Sequence, residues 1–140
     1  MHEASCHCGA LRLACEGDPH FVAVCHCGLC QRRTGTSFSL GAWFDVSSVR
    51  ISGPEKVFSR AGEDTGAELE FHFCPTCGST VYWASPFGPL PGMLGVAVGC
   101  FDDPQFHPPT LSVYGERRHE WLHPITGIPS FRRSTDSQAE

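Results

Sequence analysis

Residues 74–78 have the sequence Cys-Pro-Thr-Cys-Gly. Two cysteines separated by two residues can bind one metal ion from a single tight turn, and Gly78 permits a left-handed backbone just after the second ligand. Because structural zinc takes four ligands, this pair needs two more from elsewhere in the chain.

The chain begins with a second cysteine pair, Cys6-His-Cys8-Gly. Side chains at positions i and i+2 of a β-strand point to the same face, so both thiolates could reach one ion. The spacing therefore predicts a structural zinc site formed by four cysteines, namely Cys6, Cys8, Cys74 and Cys77.

Three further cysteines lie close together in the segment Cys25-His-Cys27-Gly-Leu-Cys30. Three protein ligands with an open fourth position are typical of a catalytic zinc. Cys25 and Cys27 share a face by the same strand argument, and Cys30 returns over a two-residue turn. His26 should point away and is a poor fourth ligand.

Other arrangements of the nine cysteines remain open at this stage. The pairs at 27–30 and 74–77 could form one two-knuckle zinc site, which would leave three other clustered cysteines idle. A thioredoxin-like redox pair at 27–30 would require a strand-to-helix βαβ setting, and the sequence shows no such helix. The isolated Cys15 and Cys100 are expected to be buried small hydrophobes.

Strand-like alternation dominates the rest of the chain. Leu69, Phe71 and Phe73 alternate with polar residues, which is the period of a half-buried strand. A short helical turn fits best at 29–35, where Gly35 would end it. We predict a mainly β fold, with strands in the segments 11–15, 38–44, 67–73, 81–83 and 93–101.

The length of 140 residues predicts one domain, which we place at 1–133. The polar residues 134–140 are expected to form a disordered tail. The sequence shows no signal peptide and no apolar stretch near the ~20 residues of a spanning helix. We therefore expect a cytoplasmic protein without membrane contact, in which reduced cysteines act as ligands or nucleophiles.

The charge balance disfavours nucleic acid as a partner. Lys and Arg total 10 against 15 Asp and Glu, a formal net charge of -5. Lys56 is the only lysine, and the arginines form only short pairs. A nucleic-acid binder normally presents a basic face that neutralises phosphates.

Three motifs in this order resemble the glutathione-dependent formaldehyde-activating enzyme family, which also includes the domain of centromere protein V. They are CHCGAL at 6–11, CHCGLCQRRTG at 25–35 and FCPTCGS at 73–79. The segment VGCFDD at 98–103 and the pair Glu120-Trp121 are similar to weaker downstream motifs of the family. The resemblance runs from about residue 5 to about residue 131.

The resemblance implies a β-tent fold of several coiled antiparallel sheets with two zinc ions. The structural zinc would fall on the four-cysteine set and the catalytic zinc on Cys25, Cys27 and Cys30. The implied activity is the condensation of glutathione with formaldehyde to S-(hydroxymethyl)glutathione. This is a carbon-sulfur lyase reaction in reverse, with a role in formaldehyde detoxification.

The sequence suggests how such a reaction could proceed. Coordination would deprotonate a small thiol in the open position, and its sulfur would then attack an aldehyde carbon. Arg32 or Arg33 could bind a substrate carboxylate, or both could form a solvated surface pair. A non-catalytic zinc-stapled protein-binding module is the alternative function, and a filled fourth position at the Cys25 site would favour it.

Overall fold

The computed structural model describes residues 1–62, 66–85 and 90–140. The chain divides into two compact units. Unit 1 comprises Met1–His20 and Ala42–Phe106, and unit 2 comprises Phe21–Gly41 and His107–Glu140. The single domain at 1–133 and the disordered tail at 134–140 stay predictions.

Short strands make up most of the regular structure, so the prediction of a mainly β fold is confirmed. The one α-helix among the described residues is α1 (Gly28–Thr34), and no described helix is long and apolar enough to cross a membrane. The strands are β1 (His2–Ser5), β2 (Arg12–Cys15), β3 (Phe21–Cys25), β4 (Ser39–Asp45), β5 (Val49–Ser52), β6 (Lys56–Ala61), β7 (Glu68–Phe73), β8 (Thr80–Ala84), β9 (Met93–Ala97) and β10 (Leu111–Val113).

In unit 1, β1, β2 and β5 form an antiparallel three-stranded sheet with β2 at its centre. The alternation predicted for this segment is present, because Leu13 and Cys15 are buried while Arg12 is exposed. Ala4 lies opposite Leu13 and is also buried. The inner face of this sheet thus places the end of β1, and the cysteine turn that follows it, against a packed core.

Strands β6 to β9 form an antiparallel ribbon in unit 1, in the order β9-β8-β7-β6. Its core includes Phe71, Trp83 and Val96. Gly95 lies opposite Trp83 on the neighbouring strand, and a β-carbon there would collide with the indole ring. The β7–β8 connection carries the Cys-Pro-Thr-Cys-Gly turn, so this ribbon positions the cysteine pair at 74–77.

The strand predicted at 93–101 is shorter than expected. β9 ends at Ala97, and Val98–Cys100 form a 3₁₀ turn closed by a hydrogen bond from the Phe101 N–H to the Val98 carbonyl at 3.1 Å. The sequence is apolar through most of this run, so its pattern carries no signal for the end of the strand.

Unit 2 is built on a parallel pair, β3 and β10, with Val113 opposite Cys25. The resemblance implied antiparallel sheets, and this pair departs from that pattern. Helix α1 follows β3 after two residues and confirms the helical turn predicted at 29–35. It ends as expected at Gly35, whose φ of 70° lies in the left-handed region that glycine adopts easily.

Candidate metal centres

The four cysteines predicted to hold a structural zinc lie together in unit 1. Their sulfur atoms are all within 4.8 Å of one another, and the Cys6–Cys8 and Cys8–Cys74 sulfur pairs are each 3.7 Å apart. A tetrahedral zinc with Zn–S bonds of about 2.3 Å would separate its sulfurs by about 3.8 Å. The chemistry and the spacing of this four-cysteine cluster therefore fit a zinc ion.

The turn at 74–79 presents backbone N–H groups to its sulfurs. The Gly78 N–H donates to the Cys74 carbonyl at 2.8 Å, and the Thr76 N–H points to the Cys74 sulfur at 3.4 Å. Gly78 has a φ of 79°, as expected for the residue after the second ligand. Hydrogen bonding to the Ser79 side chain and main chain lowers the pKa of Cys77 to about 5.

The strand argument for Cys6 and Cys8 was wrong, although the two sulfurs do meet. β1 ends at Ser5, and both cysteines belong to a turn closed by a hydrogen bond from the Gly9 N–H to the Cys6 carbonyl at 3.0 Å. Gly9 has a φ of 83°, which allows this reversal. The turn therefore brings the Cys6 and Cys8 sulfurs to the same side, which the sequence analysis had attributed to the alternation of side chains along a strand.

The second set of cysteines lies in unit 2, and its three sulfurs are also within 4.8 Å of one another. Cys25 ends β3, Cys27 is the N-cap of α1, and Cys30 lies in the first turn of the helix. The Cys30 N–H donates to the Cys27 sulfur at 3.3 Å. The predicted common strand for Cys25 and Cys27 is thus wrong, because the chain turns into the helix between them.

This three-cysteine cluster could hold a metal ion through three sulfurs, one fewer than the four ligands of a tetrahedral site. Within 1–62, 66–85 and 90–140, no His, Asp, Glu or further Cys joins the group. The donor set is soft and thiolate-rich, which suits zinc. The cysteines therefore divide into the two predicted sets, and the mixed two-knuckle arrangement does not form within the described residues.

The three thiols have strongly different proton affinities. Hydrogen bonds from Cys25 and Cys27 lower the pKa of Cys30, so this sulfur is the first to ionise. Hydrogen bonding to Cys27 and Cys30 raises the pKa of Cys25. The hydrogen bond with Cys25 lowers the pKa of Cys27. The hydrogen bond with Cys30 and burial outweigh that effect and raise the pKa to about 12. Cys25 and Cys27, whose pKa values are raised, would have to lose their protons to bind a metal ion.

His26 lies between two of these cysteines but is outside the cluster. It is 5% exposed, its ring centroid is 6.0 Å from that of Phe38, and its Nδ1 has no hydrogen-bond partner among the described residues. Burial, followed by the charge of Arg118, lowers its pKa, so the ring is neutral near pH 7.

The two arginines after Cys30 occupy different environments. Both lie in the last turn of α1, but Arg32 is exposed and Arg33 is half-buried. Arg33 lies three residues after Cys30 in α1, and its positive charge is among the causes that lower the pKa of Cys30. The solvated-pair interpretation therefore suits Arg32 better than Arg33.

The cysteines outside the clusters differ from each other. Cys15 is fully buried, as predicted, and burial raises its pKa to about 11. Cys100 ends the 3₁₀ turn and is half-buried, so the prediction of a fully buried side chain was wrong there.

The sequence analysis missed Gln31, the residue after Cys30. Its Nε2 donates to the His26 carbonyl at 2.9 Å and to the Arg117 carbonyl at 3.0 Å. This one side chain ties the loop of the three-cysteine cluster to the turn after β10. Its place beside Cys30 was visible in the sequence, but its partners were not.

Comparison with known proteins agrees with the motif order. A family model described as glutathione-dependent formaldehyde-activating enzyme matches residues 1–117. A Halomonas elongata protein, named as a candidate enzyme of this type, is 29% identical over 91 residues. The aligned part is 62% of this chain and 58% of that protein, so the chain spans less than two thirds of its relative's length.

A solved structure shows the same fold. The crystal structure of a Rhodobacter sphaeroides protein, a structural-genomics target, matches with a TM-score of 0.54 and 24% identity. The match covers 73% of this chain and 91% of that chain. Because the family model spans most of the sequence, the chain belongs to the glutathione-dependent formaldehyde-activating enzyme family.

Proposed function

We propose that this protein is a cytoplasmic, zinc-dependent carbon-sulfur lyase-type enzyme that acts on adducts of a thiol and an aldehyde. The reaction that fits best joins glutathione and formaldehyde to S-(hydroxymethyl)glutathione, and the same site would cleave the adduct in reverse. Family membership supports the class of reaction. The further role in formaldehyde detoxification follows from that chemistry.

One observation carries the proposal: the three-cysteine cluster offers three sulfur ligands and no fourth ligand of its own among the described residues. That is the ligand count of a catalytic zinc centre, whereas the four-cysteine cluster has the count of a closed structural centre. When bound, zinc would supply a position at which a small thiol stays deprotonated at neutral pH. We accordingly propose two zinc ions per chain.

The protein's own residues would hold and orient the thiol. Cys25, Cys27 and Cys30 face one point because β3 ends and α1 begins between them. Arg33, half-buried beside Cys30, could attract a carboxylate of the thiol substrate, with Arg32 as a weaker, exposed alternative. The reaction itself forms one C–S bond, and the aldehyde oxygen takes up a proton to give the hydroxymethyl group.

The uncatalysed condensation of thiols with formaldehyde sets the background for any assay. We would mix zinc-loaded protein with glutathione and ¹³C-formaldehyde at equilibrium and measure magnetisation exchange between formaldehyde hydrate and the adduct by NMR. The exchange rate should rise in proportion to protein concentration. This assay detects catalysis in both directions without isolating the labile adduct.

Two cysteine variants make the assay specific. Cys25→Ser removes a sulfur from the three-cysteine cluster and should return the exchange rate to the protein-free value. Cys100→Ser changes a cysteine outside both clusters and should retain the wild-type rate. A wild-type rate in Cys25→Ser would refute the proposal. No acceleration by fully zinc-loaded wild type would favour the non-catalytic binding module.

A further inference from the structure

A carboxylate is held in unit 2 by an arginine that the sequence analysis did not single out. The two terminal nitrogens of Arg118 bond to the two oxygens of the Glu140 side chain, each at 2.9 Å. The side chains are 15% and 21% exposed. This paired geometry is the strongest way in which arginine recognises a carboxylate.

The backbone beside Arg118 is shaped to admit that carboxylate. Gly115 is buried, and a β-carbon at this position would overlap the Glu140 carboxyl group. The preceding residue, Tyr114, has a φ of 57° and is the only non-glycine residue with positive φ in the described chain. Such strained residues are enriched at ligand sites, where the surrounding structure holds them in place.

This turn is fastened to the three-cysteine cluster at several points. Val113 lies opposite Cys25 in the parallel pair, and its carbonyl accepts the His26 N–H at 3.1 Å. The Gln31 side chain joins the Arg117 carbonyl to α1, which carries Cys30. The Arg118 site and the cluster therefore belong to one local framework within unit 2.

The segment that supplies Glu140 is joined to the residues just before it by hydrogen bonds, among them one from the Arg132 N–H to the Gln138 carbonyl at 2.9 Å. Residues 134–140 are polar, and the sequence predicts them to be disordered when nothing holds them. The Glu140 N–H bonds to the Ser130 carbonyl at 2.9 Å, and the Arg118 pair is its main side-chain contact. A tethered carboxylate of this kind competes with free ligands at an effective concentration in the millimolar range.

We propose that Arg118 and Gly115 form a binding site for the carboxylate of the thiol substrate, and that the chain's own Glu140 occupies it as an internal competitor. The ligand class is a thiol that carries a carboxylate, such as a short peptide with a cysteine. The proposal rests on the proposed function, since it assigns a substrate contact to that site. Glu140 would then weaken substrate binding, because the substrate carboxylate must displace the Glu140 side chain from Arg118.

The test measures binding separately from chemistry. S-methylglutathione has the carboxylates of glutathione but no free thiol, and its dimethyl ester lacks those charges. We would titrate both into zinc-loaded protein by calorimetry. Glu140→Gln should bind S-methylglutathione about three- to tenfold more tightly than wild type, because the competitor is weakened. Arg118→Ala should bind it at least about tenfold more weakly. The dimethyl ester should bind all variants alike.

Controls keep each outcome decisive. Glu16→Gln removes a carboxylate from an exposed arginine pair in unit 1 and should leave the affinity at the wild-type value. Circular dichroism checks that each variant is folded. If Arg118→Ala fails to fold, the affinities of Arg118→Lys and Glu140→Gln for S-methylglutathione decide whether the proposal holds. Wild-type affinity in Glu140→Gln would overturn the proposal. A tighter-binding Glu140→Gln together with no NMR exchange in wild type would refute the proposed reaction but not the carboxylate site.

Discussion

Replacing Cys77 by serine removes one of the four sulfurs of the four-cysteine cluster, and we expect this to destabilise unit 1 severely. The cluster joins the turn after β1 to the β7–β8 turn, so a bound zinc would act as a long-range staple. Cys8 and Cys74 are separated by 66 positions in the chain. Structural zinc binding is folding free energy, because the unfolded chain has no preformed site.

The size of the effect follows from the closed loop. In the chain-entropy model, a cross-link that closes a loop of this length stabilises the fold by about 4 kcal/mol. Small domains have a total unfolding free energy of only about 5–15 kcal/mol. We therefore expect Cys77→Ser to lower the melting temperature by roughly 10 °C or more. The three-cysteine cluster lies within residues 25–30 and closes only a local loop, so Cys30→Ser should have a much smaller effect.

The assay is thermal unfolding of zinc-loaded proteins followed by circular dichroism, with zinc per chain measured on the same samples. Cys100→Ser serves as the control for loss of a thiol outside both clusters. Wild type should hold two zinc ions and Cys77→Ser one or none, with the low melting temperature. If Cys77→Ser has the same melting temperature as wild type, or the same melting temperature as Cys30→Ser, the argument that zinc links the two turns is refuted.

Three further predictions concern pH, backbone and thiol reactivity. The two protonated thiols of the three-cysteine cluster must lose their protons to bind metal, so its apparent zinc affinity should rise about a hundredfold per pH unit between about pH 6 and 8. A chelator-competition titration that finds no pH dependence would contradict this. Gly53→Ala should lower the unfolding free energy by about 3 kcal/mol, because the new β-carbon would overlap the Ala10 carbonyl at a φ of 100°. Gly17→Ala has a positive φ but open space around it and should cost only about 1–2 kcal/mol, so equal urea midpoints would count against the clash. Cys15 should resist iodoacetamide in the folded protein and react in urea, whereas labelling of Cys15 as fast as of Cys100 would show that it is not buried.

Much of the candidate site could be predicted from local spacing. One- and two-residue gaps keep the sulfurs of a single motif close together, and both predicted sets are groups of neighbouring sulfurs in the structure. Spacing alone did not fix the meeting of the motifs at 6–8 and 74–77, which are 66 positions apart. The supporting geometry was not predictable in the same way. Cys6 and Cys8 lie in a glycine turn, and Cys27 caps a helix, because backbone hydrogen bonds at these points end the strands early.

Strand alternation in the sequence also predicted where the sheets would form, but not how the strands pair. Side-chain period records which face is buried, and β2 follows it, whereas in β7 only Phe71 of the predicted face is buried. The parallel pairing of β3 with β10 depends on about 85 residues of intervening chain folding back, and no local pattern records such a return. The end of β9 at Ala97 likewise lacked a signal in an apolar run.

The sequence by itself determined the family, the mainly β class and the short cysteine motifs at 6–8, 25–30 and 74–77, because motif spacing and strand periods are local properties of the chain. The tertiary structure decided that the motifs at 6–8 and 74–77 meet, 66 positions apart, while the motif at 25–30 stays separate. Only the tertiary structure decided which groups surround those cysteines. It brought Gln31 and the Arg118–Glu140 pair to the three-cysteine cluster's framework from opposite ends of unit 2. Contacts between residues so far apart arise from packing, and a single sequence holds no record of them.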